Sequence, residues 1–384
     1  MADLLSRVTR LVPGPVRKLA RRLPVAHRLR QQAYGRPSGP APTPGTLRPL
    51  VYLPTWERWS VMRQRPQEIV AAFAAAGHPA FFVDPTVSTA RTESGVTIVP
   101  SLRHVPRSGV IAYIHFAPLL RMTDLFEDPA VVYDILDDFS LIEPNEAGLP
   151  VEATVAHNHP AAMARADIVM VSAAELEARH AHERPDMIRV DNGVDLDRFR
   201  PDGPAETFDG SRPVIGFHGA VSHWFDFDLL AGVATRRPDW FFPVVGPVAD
   251  EVARRADDLA TACPNVAFLG SRPPDGVAEA IRGFDVGVVW FEVTHMTRAV
   301  SPLKIYEWLA CGVPPVSVPL PSAEAEPLVL IGTGVEGLEA SIEKALRRSA
   351  DWPAASSEAA RNAAWQRRIE PVLERLDHLG RRRV

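Results

Sequence analysis

The sequence predicts an α/β protein: two Rossmann-like domains facing a cleft, with a carboxyl-terminal helix packing back on the first. Three observations predict it. Short apolar runs alternate with helical stretches, the pattern of parallel strands covered on both faces by crossover helices. That pattern starts again near residue 212. The length, 384 residues, suits two domains better than one.

The first domain opens at "LVYLP", 50–54, a compact apolar run that reads as a strand. "RPQEIVAAFAAAGH" follows as a helix with Gly77 as its C-cap, then "AFFVD" as a second strand. Further apolar runs read as strands: "VTIVP", "GVIAYIHF" and "AVVYDIL". At 161–172, "AAMARADIVMVS" is a helix end feeding a strand, and "MIRVDNGVD" is a strand with an Asn-Gly turn.

The second domain repeats the scheme. "RPVIGFHGAV" is a strand with a glycine-bearing loop, "FDLLAGVATRR" a helix and "WFFPVVGPV" a strand. "EVARRADDLATAC", "VAFLGS", "DGVAEAIRGF" and "DVGVVWF" continue the alternation, and "PPVSVPL" is the last strand. The expected division is a basic tail and Pro-rich linker over 1–46, a first domain over 47–193, a second over 194–355 and a final helix in 356–384. That helix, about 356–379, places Trp365, Ile369, Val372, Leu373, Leu376 and Leu379 on one stripe.

Composition narrows the function. Hydrophobic residues make up 46% and charged residues 23%, as in an ordinary soluble protein. Cys263 and Cys311 are the only two cysteines, which argues against a disulfide scaffold or a zinc site and fits a reducing cytoplasm. The net charge is −5, yet the first fifty residues hold ten basic residues against the single acid Asp3. The rest is therefore acidic, and no nucleic-acid partner is expected. The head lacks the apolar core of a signal peptide. Leu4, Leu5, Val8, Leu11 and Val12 share a helical face, so residues 1–30 read either as a surface for anionic membrane or as a plain basic tail.

"SPLKIYEWLACGVPP", 301–315, is the most informative stretch. Ser301 suits an N-cap and Pro302 the first helical position. Gly312 suits C′, and Pro314 blocks continuation. Lys304 and Glu307 are three apart and share a face. A cation in the first turn opposes the helix dipole. An exposed Lys–Glu pair is one explanation; a bound anion, met by free N–H groups and the ammonium together, is the other.

Other motifs are weaker. "GFHGAVS", 216–222, lets backbone approach a ligand, but it is neither a dinucleotide fingerprint nor a phosphate loop. "VVYDILDDFS", 131–140, places Asp134, Asp137 and Asp138 after a strand, where neighbouring carboxylates can raise one pKa and make a base; an N-cap is the alternative. "DLD" (195–197) and "DFD" (226–228) imitate a metal motif but sit in a linker and at a helix start, so both read as structural. His115 and His218 end strands and could face the cleft. "HNHP", 157–160, reads as a surface turn. No metal site is expected.

In order along the chain, "RPQEIVAAFAAAGH", "YDILDDFS", "ADIVMVSAAEL", "NGVDLDRFRP", "IGFHGAVSHWFDFDLL", "NVAFLGSRP" and "AVSPLKIYEWLACGVPPVS" resemble the GT-B glycosyltransferases close to family four, near the subgroup that includes the teichuronic acid biosynthesis enzyme. The resemblance covers about residues 50–370. It implies a nucleotide-sugar donor bound mainly by the second domain, a glycan, lipid-linked or small-molecule acceptor against the first, and no metal or other cofactor. Carried over by position, Glu307 would bind the donor ribose, and Ser301, Pro302 and Lys304 would lie at the diphosphate. His218 and Gly219 would face the phosphates, and the backbone from Gly270 to Arg272 would lie near the base.

The chain departs from that pattern. The glutamate often found eight residues before the ribose-binding one is Ala299 here. The usual basic pair after the second domain's first strand is absent, and Arg298 and Lys304 are the candidates to compensate. Retaining and inverting outcomes both stay open; an inverting enzyme would use Asp137 or Asp138 as base. The expected location is the cytoplasm, or peripherally the inner face of the membrane. A sugar-nucleotide epimerase and a non-catalytic subunit on the same fold are the alternatives.

Overall fold

The computed structural model describes residues 34–43, 45–55, 57–137, 150–208 and 211–382. Asp138 and the basic segment 1–30, on which the membrane-surface expectation rests, lie outside them. Among the described residues no helix is long and apolar enough to cross a membrane.

The chain forms two compact units. The first takes the chain to Ile135, then Pro150 to Met170, and Glu183–Ile188; the second takes Leu136, Asp137, Val171–His182 and the chain from Arg189 onward. The architecture is α/β with two largely parallel sheets.

The first sheet contains β1 (Leu50–Tyr52), β2 (Ala80–Val83), β3 (Arg91–Glu93), β4 (Val96–Val99), β5 (Ile111–Ile114), β6 (Ala130–Ile135), β7 (Ile168–Val171) and β8 (Ile188–Arg189). Their order is β3-β4-β2-β1-β5-β6-β7-β8. β1 runs parallel to β2 and β5, while the exposed β3 is antiparallel to β4. Helix Arg65–Ala75 returns the chain from β1 to β2. β6 is buried at every position, as expected for an interior strand covered on both faces.

The second sheet contains β9 (Ile215–His218), β10 (Phe242–Val245), β11 (Val266–Gly270), β12 (Val286–Val289), β13 (Pro315–Ser317) and β14 (Leu330–Ile331). It is parallel throughout, in the order β11-β10-β9-β12-β13-β14. The strand order reverses at β9, which lies between β10 and β12. In open α/β sheets such a reversal leaves a crevice beyond the carboxyl ends of the strands. His218 is the last residue of β9.

Three local expectations are corrected. The final helix is not continuous over 356–379: the chain forms Trp352–Asn362, Trp365–Arg368 and Glu370–Arg382. The break has a tertiary cause. Ala363 C=O accepts the Val194 N–H at 2.9 Å, and Val194 C=O accepts the Trp365 N–H at 3.3 Å, so strand-like pairing interrupts the helix. These helices belong to the second unit, which also holds Val171–His182 from the amino-terminal half.

"HNHP" is not a turn but lies inside helix Pro150–Arg165, Pro160 included. His159 Nδ1 there meets the Tyr133 hydroxyl at 2.8 Å. The helix in the 301–315 stretch spans Leu303–Ala310 with Pro302, not Ser301, as N-cap, because Pro302 is extended at ψ 108.

Candidate functional site

The site assembles at the carboxyl end of β9 from two segments of the second unit. Apolar β9 carries His218 to the carboxyl end of the sheet, and the buried helix Leu303–Ala310 presents Lys304 and Glu307 from its first turns. His218 Nε2 lies 2.5 Å from Glu307 Oε2, and both residues are buried. The bond places a proton between Nε2 and the carboxylate. Nδ1 on the other side of the ring is buried and meets no partner among the described residues. Trp308 packs edge-on against the imidazole with centroids 5.5 Å apart, which fixes the ring plane.

Lys304 has a different environment. Its Nζ stands over the Phe291 ring at 4.6 Å and the Phe217 ring at 5.0 Å. Ring faces attract a cation, but they do not neutralise it. Among the described residues Lys304 makes no hydrogen bond or ion pair. Burial lowers its pKa from 10.5 to about 8, and the nearby Glu307 charge only partly opposes this. The helix adds to the imbalance. No side chain caps its N-terminus, so first-turn N–H groups without intrahelical acceptors add positive potential at the same end. A half-buried ammonium at the positive end of a helix is a place for an anion.

Glycine shapes the floor. Gly219 has φ +122°, and a Cβ there would come within 3.4 Å of Lys304 Cε. Gly246, after β10, has φ +151°, and a Cβ there would stand 2.0 Å from the Gly219 carbonyl oxygen. The two loops can touch because Gly246 lacks a side chain. Gly270 has φ +70° with open space where its Cβ would be.

The other expected donor residues differ in placement. Ser301 is buried, and its carbonyl accepts from Asn192 Nδ2 at 2.6 Å, which pins the entry to the helix. Arg272 is engaged with Glu206 at 3.3 Å. Arg298 is exposed on the 3-10 turn Thr297–Ala299. Neither arginine bonds to the His218–Glu307 pair. Ala299 is buried. Sequence reasoning missed Asn192, Phe217, Phe291 and Gly246, because an apolar strand residue or a loop asparagine carries no local mark of what it will face.

The aspartates after β6 separate in role. Asp134 is fully buried and held by Arg65, Nε to Oδ2 at 2.9 Å and Nη2 to Oδ1 at 3.0 Å, with the Tyr113 hydroxyl on Oδ2 at 2.7 Å. It is a structural ion pair, not a base. Asp137 is half-buried in the bend after the strand, and Asp138 lies outside the described residues. The two metal-like triplets are also taken up internally: Asp195 binds the Asp197 N–H and Arg198, and Asp226 caps helix Phe227–Arg236 through the Leu229 N–H.

In the first unit the strand order reverses at β1. There His115, after β5, meets Glu57 at 3.1 Å through Nε2 and the Tyr52 hydroxyl at 3.1 Å through Nδ1. Burial would raise the Glu57 pKa, but hydrogen bonding and charge from His115 outweigh it and hold the carboxyl below its ordinary value. The sequence showed His115 as an isolated histidine; the structure makes it part of a cluster with Glu57 and Tyr52.

No protein-family model matches the chain. Over 186 residues it is 30% identical to "Putative teichuronic acid biosynthesis glycosyltransferase TuaH" of Bacillus subtilis (strain 168), a match covering 46% of this chain and 47% of that protein. The chain thus spans about half the length of this curated relative. Among solved structures it is similar to sucrose-phosphate synthase from Thermosynechococcus elongatus, with TM-score 0.60, 15% identity and coverage of 87% of this chain and 98% of that one. AviGT4, a glycosyltransferase involved in avilamycin A biosynthesis, gives TM-score 0.61, 13% identity and coverage of 87% and 98%. Anabaena HepE, solved in complex with UDP and glucose, gives TM-score 0.55, 13% identity and coverage of 86% and 99%. The chain has the GT-B fold of these glycosyltransferases.

Proposed function

We propose that the protein is a glycosyltransferase that moves a hexose from a nucleoside diphosphate sugar to a glycan, lipid-linked or small-molecule acceptor. The donor diphosphate lies at Lys304 and the ribose at Glu307. One observation carries this reading: the Lys304 ammonium, over two phenylalanine rings at an uncapped helix N-terminus, makes no hydrogen bond or ion pair among the described residues. The TuaH name and the UDP and glucose in the HepE structure support it.

In this reading charge builds on the leaving diphosphate as the glycosidic bond breaks. Lys304 and the first-turn N–H groups then stabilise the transition state more than the ground state. Lys304 supplies the positive charge that a divalent cation supplies in other transferases, so turnover needs no metal. Gly219 lets a phosphate approach the backbone, beside the buried His218 ring. Asp137 or Asp138 deprotonates the acceptor hydroxyl if the anomeric configuration inverts. The protein works in the cytoplasm, free or peripherally at the inner face of the membrane.

The test is thermal shift with a panel of nucleotide sugars, first without metal and then with magnesium. A ligand at 100 times its dissociation constant adds about 2.7 kcal/mol. A metal-independent shift with one nucleoside family supports the reading and names the base. Silence across the panel favours a non-catalytic subunit.

A further inference from the structure

A cavity of about 340 Å³ opens in the first unit just beyond β2, lined by Arg58, Arg91, Asp84, Val61, Val87 and a set of serine and threonine hydroxyls. Its volume is at the lower end for small-ligand sites, about 300 Å³ and upward. No part of the donor site described above lies in it.

Two arginines, Arg58 and Arg91, line it against one carboxylate, that of Asp84. Arg58 Nη1 donates to the carbonyls of Thr55 at 3.1 Å and Glu57 at 2.8 Å. Gln67 in turn holds the Arg58 carbonyl at 3.2 Å, so the loop is fixed. Arg58 Nε forms a long ion pair with Asp84 Oδ1 at 3.9 Å. Asp84 is occupied elsewhere: Oδ1 accepts the Thr86 N–H at 2.9 Å and hydroxyl at 2.6 Å, and Oδ2 accepts the Trp59 N–H at 3.1 Å. Arg91 donates Nη2 to Ser60 at 2.6 Å and stands 3.8 Å from Glu93 in solvent. Among the described residues, each guanidinium therefore keeps donors that no hydrogen bond uses. Beside them Val61 is 69% exposed.

Two guanidinium forks match the geometry of a carboxylate or phosphate. Hydroxyls suit the hydroxyls of a sugar, and valine side chains suit the apolar face of its ring. We propose that this cavity holds the acceptor and that the acceptor is an anionic saccharide, bound through its carboxylate or phosphate by Arg58 and Arg91. This inference rests on the glycosyltransferase reading and adds the chemical class of its second substrate.

The test uses the full chain with glucuronate, glucose 6-phosphate and methyl glucoside as probes, in saturation-transfer NMR and competition titrations. Nucleotide-sugar affinity is measured in parallel. At least one anionic probe should bind about tenfold more tightly than the neutral one, and the two arms show whether carboxylate or phosphate is preferred. Arg91→Gln, at an exposed position, should weaken that binding about tenfold, and adding Arg58→Gln should abolish it. Donor affinity should be unchanged in both variants. Equal binding of the neutral sugar, binding of none of the probes, or retention in the Arg91→Gln variant overturns the proposal. If the donor binds while the anionic probes do not, this proposal fails alone; if no donor binds, the transferase reading fails with it.

Discussion

His218 Nε2 and Glu307 Oε2 meet at 2.5 Å although 89 residues separate them. The contact ties the end of β9 to the helix that carries Lys304. It also points the unpartnered Nδ1 away from Glu307. His218→Gln keeps a donor for the carboxylate but loses the second ring nitrogen. Nucleotide-sugar affinity should fall about tenfold, a loss of about 1.4 kcal/mol, with little change in melting temperature. Calorimetric titration and a melting curve on the same preparation check both halves.

Lys304 is placed at a cost to the unliganded fold. Lys304→Met removes a desolvated cation from the positive end of a helix and keeps its length over the two rings. The unliganded protein should melt about 2–4 °C higher. Donor affinity should fall about 10- to 100-fold, as expected when a charge-assisted contact worth about 1.5–3 kcal/mol is lost. Gain in stability with loss of binding is the signature of a functional charge; loss of both would mark Lys304 as structural.

The lowered Lys304 pKa fixes a pH window. The folded chain releases this proton at about 8, and the unfolded chain only near 10.5. Between those values the unfolded state binds more protons, so this group makes stability rise with pH across that interval. Binding has the opposite trend. If the diphosphate binds the ammonium as proposed, association above pH 8 must take up a proton, and affinity should drop about tenfold between pH 7 and pH 9. Titrations at three pH values in wild type and Lys304→Met check it: the slope should vanish in the variant.

Asp134 gives a contrasting case. Asp134→Asn removes the carboxylate that holds the buried Arg65 guanidinium by two hydrogen bonds and should destabilise the fold by about 3–5 kcal/mol. Protein that remains folded at low temperature should bind the donor nucleotide sugar normally. Unfolding in urea, with titration at 10 °C or below, separates the two effects.

Much of this was legible in the sequence. Apolar runs and glycine punctuation predicted the alternating strands and helices, because buried parallel strands must be apolar on both faces. Lys304 and Glu307 could be placed on one face by their spacing alone. The partner of Glu307 could not, since nothing local to His218 says which distant helix it will meet. The phenylalanines under Lys304 read as ordinary core. The continuous helix over 356–379 failed because Val194 pairs with the chain at Ala363, a contact no helical periodicity records. "HNHP" failed because turn-forming residue types were overridden by the surrounding helix, where His159 reaches Tyr133.

The central claim is that the Lys304–Glu307 face, completed by His218, is a nucleotide-sugar site. The most direct measurement is a calorimetric titration of the tightest nucleotide sugar from the panel into wild type and Glu307→Gln, without metal. The account predicts saturable binding in wild type and a loss of about 10- to 100-fold in the variant, at unchanged fold as judged by circular dichroism. Equal affinity in the two proteins would contradict it, because the donor would then be bound somewhere other than the helix Leu303–Ala310.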